Sequence, residues 1–468
     1  MRWSKIKSAF WSLSPAVFLT TMILLGGSSQ PDQTAHLVLQ GLGALLATVS
    51  LIPASRHHWS GAMGAFLVLV MALMLWTAIQ LIPLPPETWS QLSGRQLISE
   101  GWSILGIEGL TPFSLSFAPD QTRSALLGFG PPLALFILLT AAGWRRGVEP
   151  LAWVIPALGA GSATLGLMQV FGVLNGELYV HEITNRGLPT GIFANVNHQA
   201  TFCLMCLPFA AARAGRLRQD WIGDDRQVGL AILISALFLL NLTGVLAAGS
   251  VAGYMLLLPV LVLSVFLVRG TRPSGRKRGW LVYAIMGISI LGSAIMVATS
   301  PILEGLGVTS FGDEGDLSRQ GIWRVTGNIL QEHALLGTGL GTFTEVFRLY
   351  ETGDGLTTSF VNNAHNDYLQ ILVEWGVPGL LIVAAALLLF CRLFIRTWLR
   401  RQDQGYRLRR AASVSLLTLI LHSMVDYPSR TPGIAGLAMA CLVILILPRH
   451  KESSRDVAQE GRPGHVTL

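Results

Sequence analysis

A chain of 468 residues that is 51% hydrophobic and only 13% charged, with a mean hydropathy of +0.54, is a polytopic membrane protein by composition, not a soluble globular one. The formal charge of +7 is carried by short basic clusters between apolar runs, which excludes a nucleic-acid surface and fits segments facing anionic lipid. Four cysteines, two of them the Cys203/Cys206 pair inside an apolar run, supply neither a disulfide framework nor a metal site and read as packing residues.

Apolar runs long enough to span a bilayer recur at about 9–27, 36–54, 61–83, 124–142, 151–173, 192–212, 228–248, 250–268, 279–299, 371–394, 411–427 and 432–447. The spacing thus predicts an all-α polytopic fold of about 12 transmembrane helices within one membrane domain, 1–447. The first run follows Met-Arg-Trp-Ser-Lys-Ile-Lys without a small-residue cleavage site and reads as a retained span that also targets the chain. Pro83, Pro85 and Pro86 end the third run. They open a loop at about 84–123 that reads as an interfacial helix or two, with Trp89 and Trp102 suited to a bilayer surface. A shorter loop at about 174–197 contains Arg186 and ends on Asn195, Asn197 and His198. His57 and His58 lie among Arg and Ser with no carboxylate near.

The longest loop, about 300–370, precedes the tenth run. It predicts a helix from Arg319 to Glu332, with Ile322, Val325, Ile329 and Leu330 on one face. The glycine-rich turn from Gly337 to Thr342 resembles a phosphate loop only in glycine content, because it lacks the Gly-Lys-Ser/Thr ending and follows a helix. The loop closes on Asn362–Asp367, a polar cluster that runs without a linker into an apolar helix. His422 and Asp426 follow at i, i+4 spacing, and the tail 448–468 is polar and reads as disordered.

With both ends inside, the inner segments collect 26 of the 33 Lys and Arg residues. Arg95, Arg123, Arg186, Arg319, Arg324, Arg348 and Arg430 fall outside. This bias orients the long loops outward.

Chemistry then concentrates on the outer side. Neutral imidazole can take a proton near pH 7, so His365, flanked by Asn363, Asn366 and Asp367, is a candidate base. The same cluster could instead cap the helix that follows, through Asn366 or Asp367. Guanidinium matches phosphate oxygens and keeps its charge where dielectric is low, which makes the scarce outer arginines, Arg186 and Arg319, candidate anion ligands. Both have bland readings as well: Arg186 as a solvated loop residue, Arg319 as an ion-pair partner of Asp313, Glu314 or Asp316. Arg324 and Arg348 read first as loop residues. The His422/Asp426 pair reads as an intramembrane polar contact before a catalytic one, and His198 as a structural residue at the start of its helix.

Asn363-Ala-His-Asn-Asp-Tyr-Leu-Gln with Glu374-Trp-Gly, Arg319 to Trp323, His333 to Phe343, Gly191-Ile-Phe-Ala-Asn-Val-Asn-His and His422-Ser-Met-Val-Asp-Tyr-Pro together resemble the O-antigen ligase and O-antigen polymerase superfamily of bacterial envelope polysaccharide enzymes. The resemblance covers about 80–445, with the ligase-like core at about 190–445. Members often carry Ser-Arg at the start of a mid-chain span, where this chain has Ser250 and Val251.

The resemblance implies a GT-C-like helical fold and an inverting, metal-independent glycosyltransferase without a cofactor. It would work at the outer face of the bacterial inner membrane, with both termini cytoplasmic and the long loop before the tenth span periplasmic. The donor would be a polyprenyl-diphosphate-linked glycan and the acceptor a glycan or lipid-linked glycan. Membrane lipids and other polysaccharide assembly proteins would be its partners, and nucleic acid would not. His365 would activate the acceptor, with Arg319 and Arg186 holding the diphosphate. Asn197, Asn363, Asn366, Tyr368 and Arg324 would line the substrate site. Polymerase action is the favoured reading, with transfer to lipid A core or to protein as alternatives. A twelve-span transporter matches the run count but should show repeated halves and polar residues at mid-bilayer, which this chain lacks.

Overall fold

A computed structural model describes residues 2–30, 34–55, 59–106, 112–173, 178–269, 319–351, 361–399 and 405–448. Within them the chain forms α1 (Arg2–Leu25), α2 (Thr34–Ser55), α3 (Gly61–Ile79), the short strand β1 (Pro83–Leu84), α4 (Pro86–Trp89), α5 (Gln96–Ile104) and the strand β2 (Phe113–Ser114). It continues with α6 (Pro119–Leu127), α7 (Gly130–Gly143), α8 (Leu151–Val170), α9 (Val196–Gln219), α10 (Asp225–Ala247) and α11 (Val251–Arg269). The last elements are α12 (Arg319–His333), α13 (Phe343–Tyr350), α14 (Asp367–Leu399), α15 (Tyr406–His422) and α16 (Pro432–Ile446). The protein is an all-α polytopic membrane protein. Seven helical stretches among the described residues, with α6 and α7 taken together as Pro119–Val148, are long and apolar enough to cross a bilayer, and Ala9–Leu25 and Pro432–Ile446 are shorter apolar helices. The run expected at about 279–299, His57, His58, the acidic residues 313–316 and the tail from Arg449 lie outside the described residues.

Two of the expected spans, at about 192–212 and 411–427, become interior helices. Helix α9 packs against α8, α10, α11 and α15, and Val196 to Ala212 are buried almost without a break. Their weaker hydropathy follows from that position, because a helix wrapped by protein can carry His198, Gln199 and Thr201 where a lipid-facing one cannot. Cys203, Cys206 and Cys441 are free and buried in the same core. Around the core the outer helices turn leucines outward, with Leu258 67% and Leu388 71% exposed. An apolar surface of that kind belongs in contact with lipid.

The loop after α3 forms a compact outer layer. Strands β1 and β2 pair antiparallel, Pro83 with Ser114 and Leu84 with Phe113. Trp89 is 1% exposed, stacks on Trp102 at 5.4 Å and donates its indole N–H to the Ser114 carbonyl. It is a core residue of the loop, where the sequence suggested an exposed anchor at a bilayer surface. Arg95 is buried between aromatic rings, 3.4 Å from the Phe117 centroid and 5.1 Å from that of Trp89, and donates to the Leu115 carbonyl. Burial lowers this guanidinium to about 9. Burial, and then the nearby Arg95 charge, push the His333 imidazole down to about 4, so it is neutral at physiological pH. Because the Tyr350 hydroxyl donates to Glu332, the His333 Nε2 donates to Tyr350 at 2.8 Å. These contacts fasten the C-terminal end of α12 to the outer layer. The other end of α12 carries Arg319.

Helix α14 is interrupted at Gly376, whose φ of 64° is left-handed. The Val377 N–H donates to the Ala334 carbonyl, and the carbonyls of Val373 and Glu374 accept from the N–H groups of Thr338 and Gly339. The Trp375 carbonyl accepts from the Trp76 indole at 2.7 Å. These four backbone groups beside the break therefore find partners outside the helix. Pro378 sits in the first turn of the restarted helix, where no intrahelical N–H is required.

Candidate functional site

Three chain segments converge at one end of the core: the N-terminus of α9, residues 361–367 before α14, and the 423–431 turn between α15 and α16. Asn195 caps α9, its Oδ1 accepting the Asn197 N–H at 2.8 Å. Asn366 caps α14, accepting the N–H groups of Tyr368 at 3.0 Å and Leu369 at 3.1 Å. The capping reading of the polar cluster thus falls on Asn366 and leaves His365 free for another role. Replacing Asn366 with Ala should cost about 0.5–2 kcal/mol, measured as a lower unfolding temperature of the purified protein, whereas Asn366→Asp should keep the cap.

Between the caps, His365 takes φ 48°, and among the described residues it is the one non-glycine with positive φ. Such a conformation costs about 1–3 kcal/mol and persists only where surrounding contacts impose it. Those contacts are visible. The Ala364 N–H donates to Gln370 Oε1 at 2.9 Å, the Ala364 carbonyl accepts from the Trp323 indole at 2.8 Å, and the Asp367 N–H donates to the Ser423 carbonyl at 2.9 Å.

The conformation aims His365 at Asp426, with Nδ1 3.3 Å from Oδ1. The imidazole is 25% exposed and the carboxylate 1%, so the pair has a wet side and a dry side. Burial alone would raise the Asp426 carboxyl. Its contact with His365 and the charges of His365, His198 and Arg319 hold it well below the usual carboxylate range. Asp426 is therefore an anion, and Arg319 acts on it from the start of α12. Trp323, one turn further along α12, reaches the loop that carries His365. The sequence suggested Asp426 as a partner for His422. In the structure the Asp426 carboxylate faces His365, while His422 Nδ1 meets Thr201 Oγ1 at 2.7 Å.

Tyr427 stands between two histidines, its ring 4.9 Å from that of His365 and 5.0 Å from that of His198, edge-on to both. The side-chain amides of Asn195, Asn362 and Asn363 lie near its hydroxyl, so Tyr427 sits where the three segments meet. His198 is 1% exposed, and among the described residues no hydrogen-bond partner reaches either ring nitrogen.

The remaining candidates divide. Asn363 is buried and accepts from Gln370 Nε2 at 3.1 Å, and Asn197 lies in the first turn of α9. Tyr368 spends its hydroxyl on the Ile420 carbonyl at 2.8 Å. Arg324 is exposed on α12. Arg186 is exposed on the 178–195 loop with its guanidinium 5.7 Å from the Tyr179 centroid, and among the described residues its contacts are local to that loop. Val251 packs with Ala252, Met424 and Val425 beside the Asp426 turn.

Sequence reasoning passed over Tyr427 and Arg430. Arg430 was counted only as an outer cation, yet it donates from Nε to Asp367 at 3.3 Å and from both terminal nitrogens to Glu374 at 3.3 and 3.1 Å. The signal available was a second pair of carboxylates, Asp367 and Glu374, one at the start of an apolar helix and one seven residues into it.

Residues 236–384 match the family described as O-antigen ligase, a stretch that includes both Arg319 and His365. No curated protein matches the chain.

Proposed function

From the place of this chain in the O-antigen ligase and polymerase superfamily, we propose that it transfers or polymerises glycan from a polyprenyl-diphosphate carrier at the periplasmic face of the bacterial inner membrane. The observation that carries this reading is the pairing of a partly exposed imidazole with a buried carboxylate, His365 with Asp426, within the field of Arg319.

The reaction needs two things from the protein. The acceptor hydroxyl must lose its proton as its oxygen attacks the anomeric carbon, and the departing diphosphate must be neutralised. With Nδ1 turned to Asp426, His365 presents Nε2 to take that proton, and Asp426 holds the ring and balances the charge that forms. The new bond joins acceptor oxygen to anomeric carbon while the bond from that carbon to the diphosphate oxygen breaks, and attack opposite the leaving group inverts the centre. Arg319 receives the diphosphate, with Arg186 as a second cation brought by its loop. No step calls for a metal. Asn197, Asn363 and Tyr368, with Arg324 on the outer face of α12, would border the sugars.

The test is incubation of the purified protein in liposomes with a defined polyprenyl-diphosphate oligosaccharide and, separately, a second lipid-linked glycan, lipid A core and an acceptor protein. Growth of lipid-linked polymer is the expected product. Transfer only to lipid A core or to protein would redirect the reading to those acceptors, and absence of transfer to all three would remove it.

A further inference from the structure

The His365–Asp426 pair joins residues from two segments that no covalent element holds together. His365 lies in a strained turn before α14, and Asp426 lies in the turn after α15. One largely enclosed side chain connects the supports of both. Arg430 bridges Asp367 and Glu374, and all three are largely enclosed, with side-chain exposures of 20%, 5% and 1%. Glu374 Oε1 also accepts from Gln370 Nε2, and the same Gln370 bonds Asn363 Oδ1 and the Ala364 N–H, the residues immediately before His365. Asp367 Oδ2 accepts from Ser423 at 2.8 Å and Ser429 at 2.6 Å, the residues on either side of Asp426 in its turn.

We propose that Arg430 is a positioning residue for the proton-accepting pair: through Asp367 and Glu374 it holds the Asp426 turn and the left-handed His365 turn in register. The proposal rests on the glycosyl-transfer reading above. Arg430 itself touches neither His365 nor Asp426 among the described contacts, so its action is indirect. A planar fork is required, because three donors from one group reach two carboxylates in different directions. Lysine would keep the charge and lose the bridge. Two buried carboxylates facing one guanidinium also explain why the group cannot simply be deleted, since each unpaired charge in such a site is costly.

The experiment measures turnover and KM for the lipid-linked donor in wild type, Arg430→Lys, Asp426→Asn and the double variant, in liposomes at matched protein content. Arg430→Lys should lower kcat by about tenfold or more with KM for the donor within about twofold, and should add no further loss in the Asp426→Asn background, because coupled residues are not additive. Wild-type kcat in Arg430→Lys, a change confined to KM, or the same loss in both backgrounds would overturn the proposal. If Arg430→Lys does not accumulate in the membrane, the pair Arg430→Gln with Glu374→Gln removes both charges together and carries the same comparison. Its expected result is again a fall in kcat that vanishes when Asp426 is already Asn. Transfer by wild type with no effect of these variants defeats the positioning role alone, whereas an inactive wild type defeats the glycosyl-transfer reading and this inference with it.

Discussion

Replacing His365 with asparagine is expected to lower glycan transfer by about 10²–10⁴-fold, the usual contribution of a general base, while the protein still folds and inserts. Asparagine is the informative choice because of the backbone. At φ 48° most side chains are strained, but asparagine tolerates the left-handed region better than most. The variant therefore removes the imidazole and keeps the turn. Alanine, which also removes the imidazole, should lose activity to a similar degree and some stability besides. Unfolding temperature and membrane content identify any loss of fold, and turnover measured on the inserted protein isolates the chemical defect. Wild-type turnover in the asparagine variant would take His365 out of the mechanism, whatever the standing of its neighbours.

The second large effect is expected away from the chemistry. Gly376→Ala should destabilise the outer half of the protein. An added Cβ at this residue would meet the Gly337 nitrogen at 2.6 Å and the Leu335 carbonyl at 2.7 Å, both backbone atoms that cannot swing aside. The left-handed conformation costs alanine roughly 1–2 kcal/mol, and the overlap adds roughly 1–3 kcal/mol. Gly337→Ala should behave alike, because its Cβ would meet the Glu374 carbonyl at 2.4 Å from the opposite side. A drop in unfolding temperature and in membrane accumulation is the readout. Unchanged stability in both variants would show that the close backbone approach is not required.

These two results separate what the residues reveal locally from what only folding assembles. His365 stood out because its polar cluster runs directly into an apolar helix, and the structure shows that cluster directly before α14. Among the described residues, the helical character of the apolar runs was legible from their length, since crossing a hydrocarbon core takes about 20 apolar residues of helix. Its limit was α9, where histidine and amides lower the hydropathy because neighbouring helices, not lipid, cover them. Trp89 shows the converse, an aromatic residue taken for a surface anchor that its own loop had buried.

The partnerships were not legible. Asp426 suggested its neighbour His422 by helical spacing, but the helix ends at His422 and the turn beyond it rotates the carboxylate toward His365. The glycines from Gly337 to Gly341 were set aside as a phosphate loop, yet nothing local announces that Gly337 faces Gly376. Long-range backbone contact leaves no periodicity in sequence. Arg430 hid for a related reason, since an arginine flanked by Ser and Thr looks solvated until the helix carrying Asp367 and Glu374 is laid beside it.

The break at Gly376 also sets what carries load. Residues 367–375 are bound to the outer layer through Thr338, Gly339, Gln80 and Trp76, and the continuous intrahelical ladder that would tie them to residues 377–399 is absent. The restarted helix is held separately at its far end, where Phe390, Leu393, Phe394 and Trp398 are buried in the core and the Trp398 indole donates to Ser413 at 3.1 Å. The two parts of α14 thus answer to different neighbours, one to loop backbone and one to the helical core, and Gly376 is the joint at which those two fittings meet.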